Sequence, residues 1–276
     1  MTGALAERTP GARPGVLSQL FARQSRLAAF GLALIALGTI LALAQIFDAR
    51  TLNGANVWLK PAKFAFSIAI FALTAAWFFG YVRPERRRSA PMRGTVAMVI
   101  AAGTFELAWI AWQAAHGLAS HFNTDTIFYA VMYGLMGLFA VLLVGTALPL
   151  AWEIARRPAP GLRPDFVLAV VTGLVLTFLI GGTMGGYMSA QSSHAVGAEG
   201  GGVPMFGWNR LGGDLRIAHF MGIHAEQAIA MLGLMVSGLP VARARMIVLA
   251  GAAAWTIATL VLFAQAVGGR ALWPMA

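Results

Sequence analysis

The chain has 276 residues, 59% of them hydrophobic and only 11% charged, with a mean hydropathy of +0.73 and no cysteine. A soluble domain carries roughly a quarter charged residues, so this composition excludes a water-soluble core and makes lipid the solvent for much of the chain. The lack of thiols removes disulfides, thiolate metal sites and cysteine nucleophiles, and the formal charge of +10 reads as loop arginines, not as a nucleic-acid surface.

Apolar runs near the 20 residues needed to cross about 30 Å of hydrocarbon cover residues 27–47, 61–82, 95–116, 127–152, 166–190, 217–239 and 246–268. Continuous apolar character at this length predicts helices, since barrel strands are short and alternating. The expected fold class is an all-α polytopic membrane helix bundle of seven transmembrane helices. Residues 1–26 are a basic tail, 27–268 the membrane domain and 269–276 a C-terminal tail. Arg8, Arg13, Arg23 and Arg26, then Arg83, Arg86, Arg87, Arg88 and Arg93, then Arg156, Arg157 and Arg163, then Arg243 and Arg245 all fall on one side. Arg50, Lys60, Lys63, Arg210, Arg216 and Arg270 fall on the other. The positive-inside rule places the N-terminus in the cytoplasm and the C-terminus outside, in a bacterial inner membrane.

Along the chain, the first span carries Ala42-Leu43-Ala44 after a basic tail and so imitates a cleaved signal peptide, which would leave six spans in the same orientation. The stretch 52–64 reads as an interfacial connection, with Trp58 at headgroup depth and Pro61 opening span two between Lys60 and Lys63. In span three, Glu106, Trp109, Gln113 and His116 share one helical face. In span five, the glycines of 181–186 predict close contact with another helix. The connection 191–216 contains a glycine-rich stretch that spans a gap or moves as a lid, and Asp214 is placed to cap span six. His219, Gly222 and Glu226 share a face of span six.

All five histidines fall toward the outer side, and Glu106 and Glu226 lie deeper, roughly 15 Å below it. An intramembrane carboxyl faces the bundle interior, is neutral, or has a partner, and is a functional signal by default. Glu106, Glu226 and His219 are therefore the candidate acid/base or proton-relay groups. His116, His224, Gln113, Arg216 and Lys60 are candidates for binding a cofactor or ligand, and His116, His219 and His224 are candidate metal ligands for haem iron or another transition metal. The five-residue spacing of His219 and His224 does not suit a shared zinc ion, and the last span has no lysine for a retinal Schiff base.

Residues 58–64 (WLKPAKF) and 213–225 (GDLRIAHFMGIHA) resemble segments of uncharacterised bacterial multi-pass membrane proteins. The resemblance implies a membrane protein and carries no assigned activity. The leading expectation is an outward-facing polar pocket between spans three and six that binds haem, a metal or a lipid-like or anionic small ligand for redox chemistry. A proton-coupled small-solute transporter and a non-catalytic scaffold are the alternatives. The bilayer is the expected partner, and nucleic acid is not.

Overall fold

The computed structural model describes residues 15–191, 193–203 and 206–274. Arg8 and Arg13 of the expected tail lie outside the described residues, as do positions 275–276. Among the described residues six helical stretches are long and apolar enough to cross a membrane: Val16–Phe47, Leu59–Phe79, Ala90–Ala115, Ile127–Arg156, Pro164–Ser189 and Val241–Val267. The strands described are two-residue hairpin pieces, so the architecture is an all-α bundle.

Helix α1 (Val16–Phe47) begins inside the stretch that composition assigns to the tail. Gln24 leaves helical geometry at φ −153°, ψ 94°, and its side-chain oxygen accepts from the Arg26 amide at 3.0 Å. The turns before this kink dock on α2 (Leu59–Phe79): Leu20 is buried, and the Arg23 guanidinium lies 3.9 Å over the Trp77 ring while donating to the Trp77 carbonyl at 2.8 Å. Between α1 and α2, Asn53 (φ 52°) and Gly54 (φ 76°) make the two-residue turn joining β1 (Thr51–Leu52) to β2 (Ala55–Asn56). Asn-Gly supplies the left-handed residues that such a hairpin needs. Asp48 anchors its base, accepting from Arg50 at 2.6 Å and from the Trp58 indole at 2.8 Å; these donors hold its carboxyl well below the usual range.

Helix α3 (Ala90–Ala115) packs against α2 and α4 (Ile127–Gly145). The Thr146 hydroxyl donates to the Leu143 carbonyl at 2.6 Å at the bend into α5 (Ala147–Arg156). Most of α4 is exposed, whereas α5 buries Leu150, Ala151 and Ile154. Next come α6 (Pro164–Leu176), a wide π turn (Thr177–Gly182) and α7 (Thr183–Ser189). The expected continuous span 217–239 is two short helices, α8 (Leu215–Ile223) and α9 (Ala225–Met235), interrupted at His224 (φ −93°, ψ 6°). The chain ends on α10 (Val241–Val267).

The π turn and the break in α8–α9 face each other. A Cβ on Gly222 would lie 2.7 Å from the Gly181 Cα, and one on Gly173 would lie 2.9 Å from the Glu226 Cα. These glycines let two backbones touch, as the small residues of span five predict. Backbone groups freed by such irregularities need new partners in an apolar medium. The buried Thr177 hydroxyl supplies two of them, accepting from the Glu226 amide at 2.9 Å and donating to the Ile223 carbonyl at 3.4 Å. Trp255 Nε1 donates to the Met221 carbonyl at 3.0 Å. Replacing Thr177 with Val should lower unfolding stability by about 1–3 kcal/mol, read as a reduced thermal midpoint in detergent, while Thr177→Ser retains most of it.

Candidate functional site

The site is assembled around α3, whose face carries Glu106, Trp109 and Gln113, all buried. The helix stops one residue before His116. Gly117 adopts φ 68°, its amide donates to Ala114, and the Leu118 amide donates back to Gln113 at 2.9 Å. This paired return is the Schellman ending that a left-handed glycine permits. It carries His116 away from the expected face: the ring is exposed, bonds through Nδ1 to the Trp112 carbonyl at 2.8 Å and lies against the Trp112 ring.

The chain beyond this ending folds back over α3 and is held by Gln113, expected to bind a ligand, and by Trp109 of the same face. Gln113 Nε2 donates to the Ala119 carbonyl at 3.1 Å, and Trp109 Nε1 donates to the Ser120 carbonyl at 3.3 Å. They position His121, a residue that helical spacing did not single out. Its Nδ1 lies 3.1 Å from Lys60 Nζ on α2 and 3.1 Å from the Ser120 hydroxyl, with the Phe64 and Tyr133 rings alongside. An ammonium only donates, so this Nδ1 is the acceptor and the imidazole is neutral, with its proton on Nε2. Burial and the charge of Lys60 keep the His121 pKa well below the ordinary histidine value. Lys60 also attracts Glu106, closing a circuit back to α3. Glu106 Oε1 is buried and has no hydrogen-bond partner.

Around this circuit lie further charges. Arg216 pairs with Asp214 at 2.6 Å, and Asp214 also accepts from the Asn209 amide at 2.7 Å and caps α8. Burial raises the Asp214 pKa, but the Arg216 side chain and the amides outweigh it and hold the carboxyl below its ordinary value. Lys63 donates to the Phe206 carbonyl at 3.0 Å. Lys60, Lys63 and Arg216 lie close enough to repel one another electrostatically, with Glu106 acting on Lys60 and Asp214 on Lys63 as the neighbouring acids. His194, with its Nδ1 buried and lacking a hydrogen-bond partner, senses the same charges, and burial with Arg216 nearby lowers its pKa to about 4.

The described residues of the connection 191–216 make regular contacts. β3 (Ala195–Val196) pairs with β4 (Gly213–Asp214). The Asn209 side chain donates to the Ala198 carbonyl at 2.8 Å and accepts from the Gly200 amide at 3.0 Å. Gly213 is indispensable, since a Cβ there would lie 1.9 Å from the Ala266 carbonyl oxygen.

The expected face of span six belongs to a second network. His219 Nδ1 pairs with the Gly181 carbonyl at 3.0 Å, which ties α8 to the π turn. His224 Nδ1 lies 3.2 Å from Gln227 Oε1, while Gln227 Nε2 donates to Glu226 at 2.8 Å and to Thr74 on α2 at 3.1 Å. Gln227 and Thr74 also line a cleft of about 320 Å³ with Trp77, Tyr81 and Leu234, at the end of the bundle that carries the arginine-rich loops. Helix α3 packs chiefly on α2 and α4, and α8–α9 on α6, α7, α10 and the π turn. The two faces expected to form one pocket thus stand in separate networks with α2 between them.

The metal reading finds no support in this placement. His116, His219 and His224 each hydrogen-bond through Nδ1 to a different partner, and among the described residues no group of three or more His, Asp or Glu side chains is placed to hold a metal ion. Compared with known proteins, the chain matches no family model, no curated protein and no solved structure.

Because His121 and His194 titrate below the ordinary value of 6.5, the unfolded chain binds protons first as pH falls. Their contribution to stability is therefore complete above pH 6.5 and is lost as pH falls below it, for His194 toward about pH 4. The thermal midpoint should drop across that window, and the double variant His121→Gln/His194→Gln should flatten the drop. His116→Ala should leave the midpoint unchanged.

Proposed function

We propose that this chain is a seven-span protein of a bacterial inner membrane, with α8–α9 as its interrupted sixth span, the arginine-rich loops in the cytoplasm and the Lys60–Glu106–His121 basin facing outward. In this reading the basin binds a small anion that also carries a hydrogen-bond donor. One observation carries it: a buried carboxyl oxygen on Glu106 without a partner, next to an excess of cations. Leaving such an oxygen unpaired costs about 1–3 kcal/mol, and a ligand donor or a proton would recover it. Lys60, Lys63 and Arg216 supply the attraction for the anionic group, and neutral His121 offers an Nε2–H donor at the rim.

The site works as a binding and proton-holding centre. Glu106 accepts from the ligand or holds its proton, Lys60 stabilises the resulting charge, and Gln113 and Trp109 act as positioning residues through the loop they fasten. Thermal-shift screening of the detergent-solubilised protein against small hydroxylated carboxylates and phosphate esters should yield a saturable stabilising ligand. Glu106→Gln and Lys60→Met should each weaken its affinity about tenfold or more. Unchanged affinity in both variants would overturn the assignment.

A second reading, proton-coupled transport, is favoured by one specific arrangement. An interrupted helix carries Glu226 beside a cleft that reaches Gln227 from the opposite end of the bundle, and discontinuous helices with midplane acids are the means by which many transporters bind and couple. In proteoliposomes, uptake of the screened ligand driven by a pH gradient and lost in Glu226→Gln, with binding retained, would select this reading over binding alone.

A further inference from the structure

The bend at Thr146 sets α5 inward and leaves a groove of about 540 Å³ between α5, α6 and the start of α3, at the arginine-rich end of the bundle. Its walls include Leu148, Trp152 and Val175; Trp152 is 61% exposed, so the trough opens sideways where lipid would lie. Arg86 and Arg157 line the same groove and grip one carboxylate, Glu153, at 2.7 and 3.2 Å. The Glu153 side chain is only 4% exposed, while the two arginine side chains remain 36% and 48% exposed. Arg156 does not line the groove but adds a third cation beside it, 4.9 Å over the ring of the lining residue Trp152. Three guanidiniums against one enclosed carboxylate make the mouth cationic, and a guanidinium has five donors of which a single carboxylate occupies at most two.

We propose that this groove binds an anionic phospholipid, with its phosphodiester against Arg86, Arg156 and Arg157 and one acyl chain along Leu148, Trp152 and Val175. Two features together select that occupant. The volume falls in the range of about 300–1,000 Å³ typical of small-molecule sites, and the cationic mouth runs directly into an apolar trough. A free phosphate would leave the trough empty. A zwitterionic lipid would leave the excess positive charge unanswered. Basic pockets at the ends of membrane helices recognise anionic headgroups by this chemistry, and the site is independent of what the opposite basin binds.

The test uses the full chain, stripped of lipid in a neutral detergent and titrated with phosphatidylglycerol, with phosphatidylcholine of the same acyl chains, and with inorganic phosphate. Thermal unfolding and native mass spectrometry provide the readouts. Saturable stabilisation and a retained bound lipid are expected with phosphatidylglycerol alone. Arg156→Gln, an exposed change outside the Glu153 ion pairs, should weaken that affinity about fivefold, and Val175→Trp should abolish it by filling the trough. Glu106→Gln should leave it unchanged. An equal response to phosphatidylcholine or to inorganic phosphate would overturn the proposal, as would full affinity in Arg156→Gln, which decides the matter alone if Val175→Trp does not fold.

Discussion

A peptide group released from its helix inside hydrocarbon has no water to bond with, and the second half of this bundle is arranged around that constraint. The π turn of 177–182 and the interruption at His224 each free backbone groups, and the chain places the two defects against each other so that side chains on one repair the other. Thr177, His219 and Trp255 do this from three different helical stretches. Glycines at 173, 181 and 222 are the complement, because the repair works only when the backbones approach to touching distance. Polar residues that look functional in isolation are here in part the fasteners of an irregular core.

The cluster around Lys60 follows a different logic. It sits where the membrane helices end, and its key residues come from segments that fold back: the loop after α3 brings His121, and the connection 191–216 brings His194 and Asp214. Helix α2 links this basin to the deeper network, since Lys60 belongs to one and Thr74 to the other. Trp109 and Gln113 are spent on loop carbonyls and thereby fix where Lys60 meets an acceptor. These bonds leave the Glu106 Oε1 buried without a hydrogen-bond partner.

Much of the membrane fold was legible because hydropathy over 20 residues reports directly on lipid exposure. The three-and-seven spacing of Glu106, Trp109 and Gln113 was legible as a buried face for the same reason. His116 misled because periodicity says nothing about where a helix stops; the signal that corrects it was Gly117, the residue type that ends helices in the left-handed region. Asn53-Gly54 was likewise a readable hairpin turn in a stretch judged merely interfacial. The break at His224 left no such mark, since hydropathy runs through it uninterrupted, and it depends on Thr177 some fifty positions away. His121 was hidden for the same reason: its defining partner, Lys60, is distant in sequence.

The doubly bonded Thr177 hydroxyl also sets how α6 and α8–α9 can move. Both of its bonds go to backbone atoms on either side of one break, so a small slide of one helix along the other loses the two together and leaves their partners bare in an apolar medium. Glycine contacts at 2.7–2.9 Å for a would-be Cβ leave no slack for a gradual adjustment. The crossing behaves as a detent: the helices rest in register or jump clear of it, and intermediate offsets are the costly ones. Any motion of α9 that carries Gln227 relative to α6 therefore passes through a joint of that discrete kind.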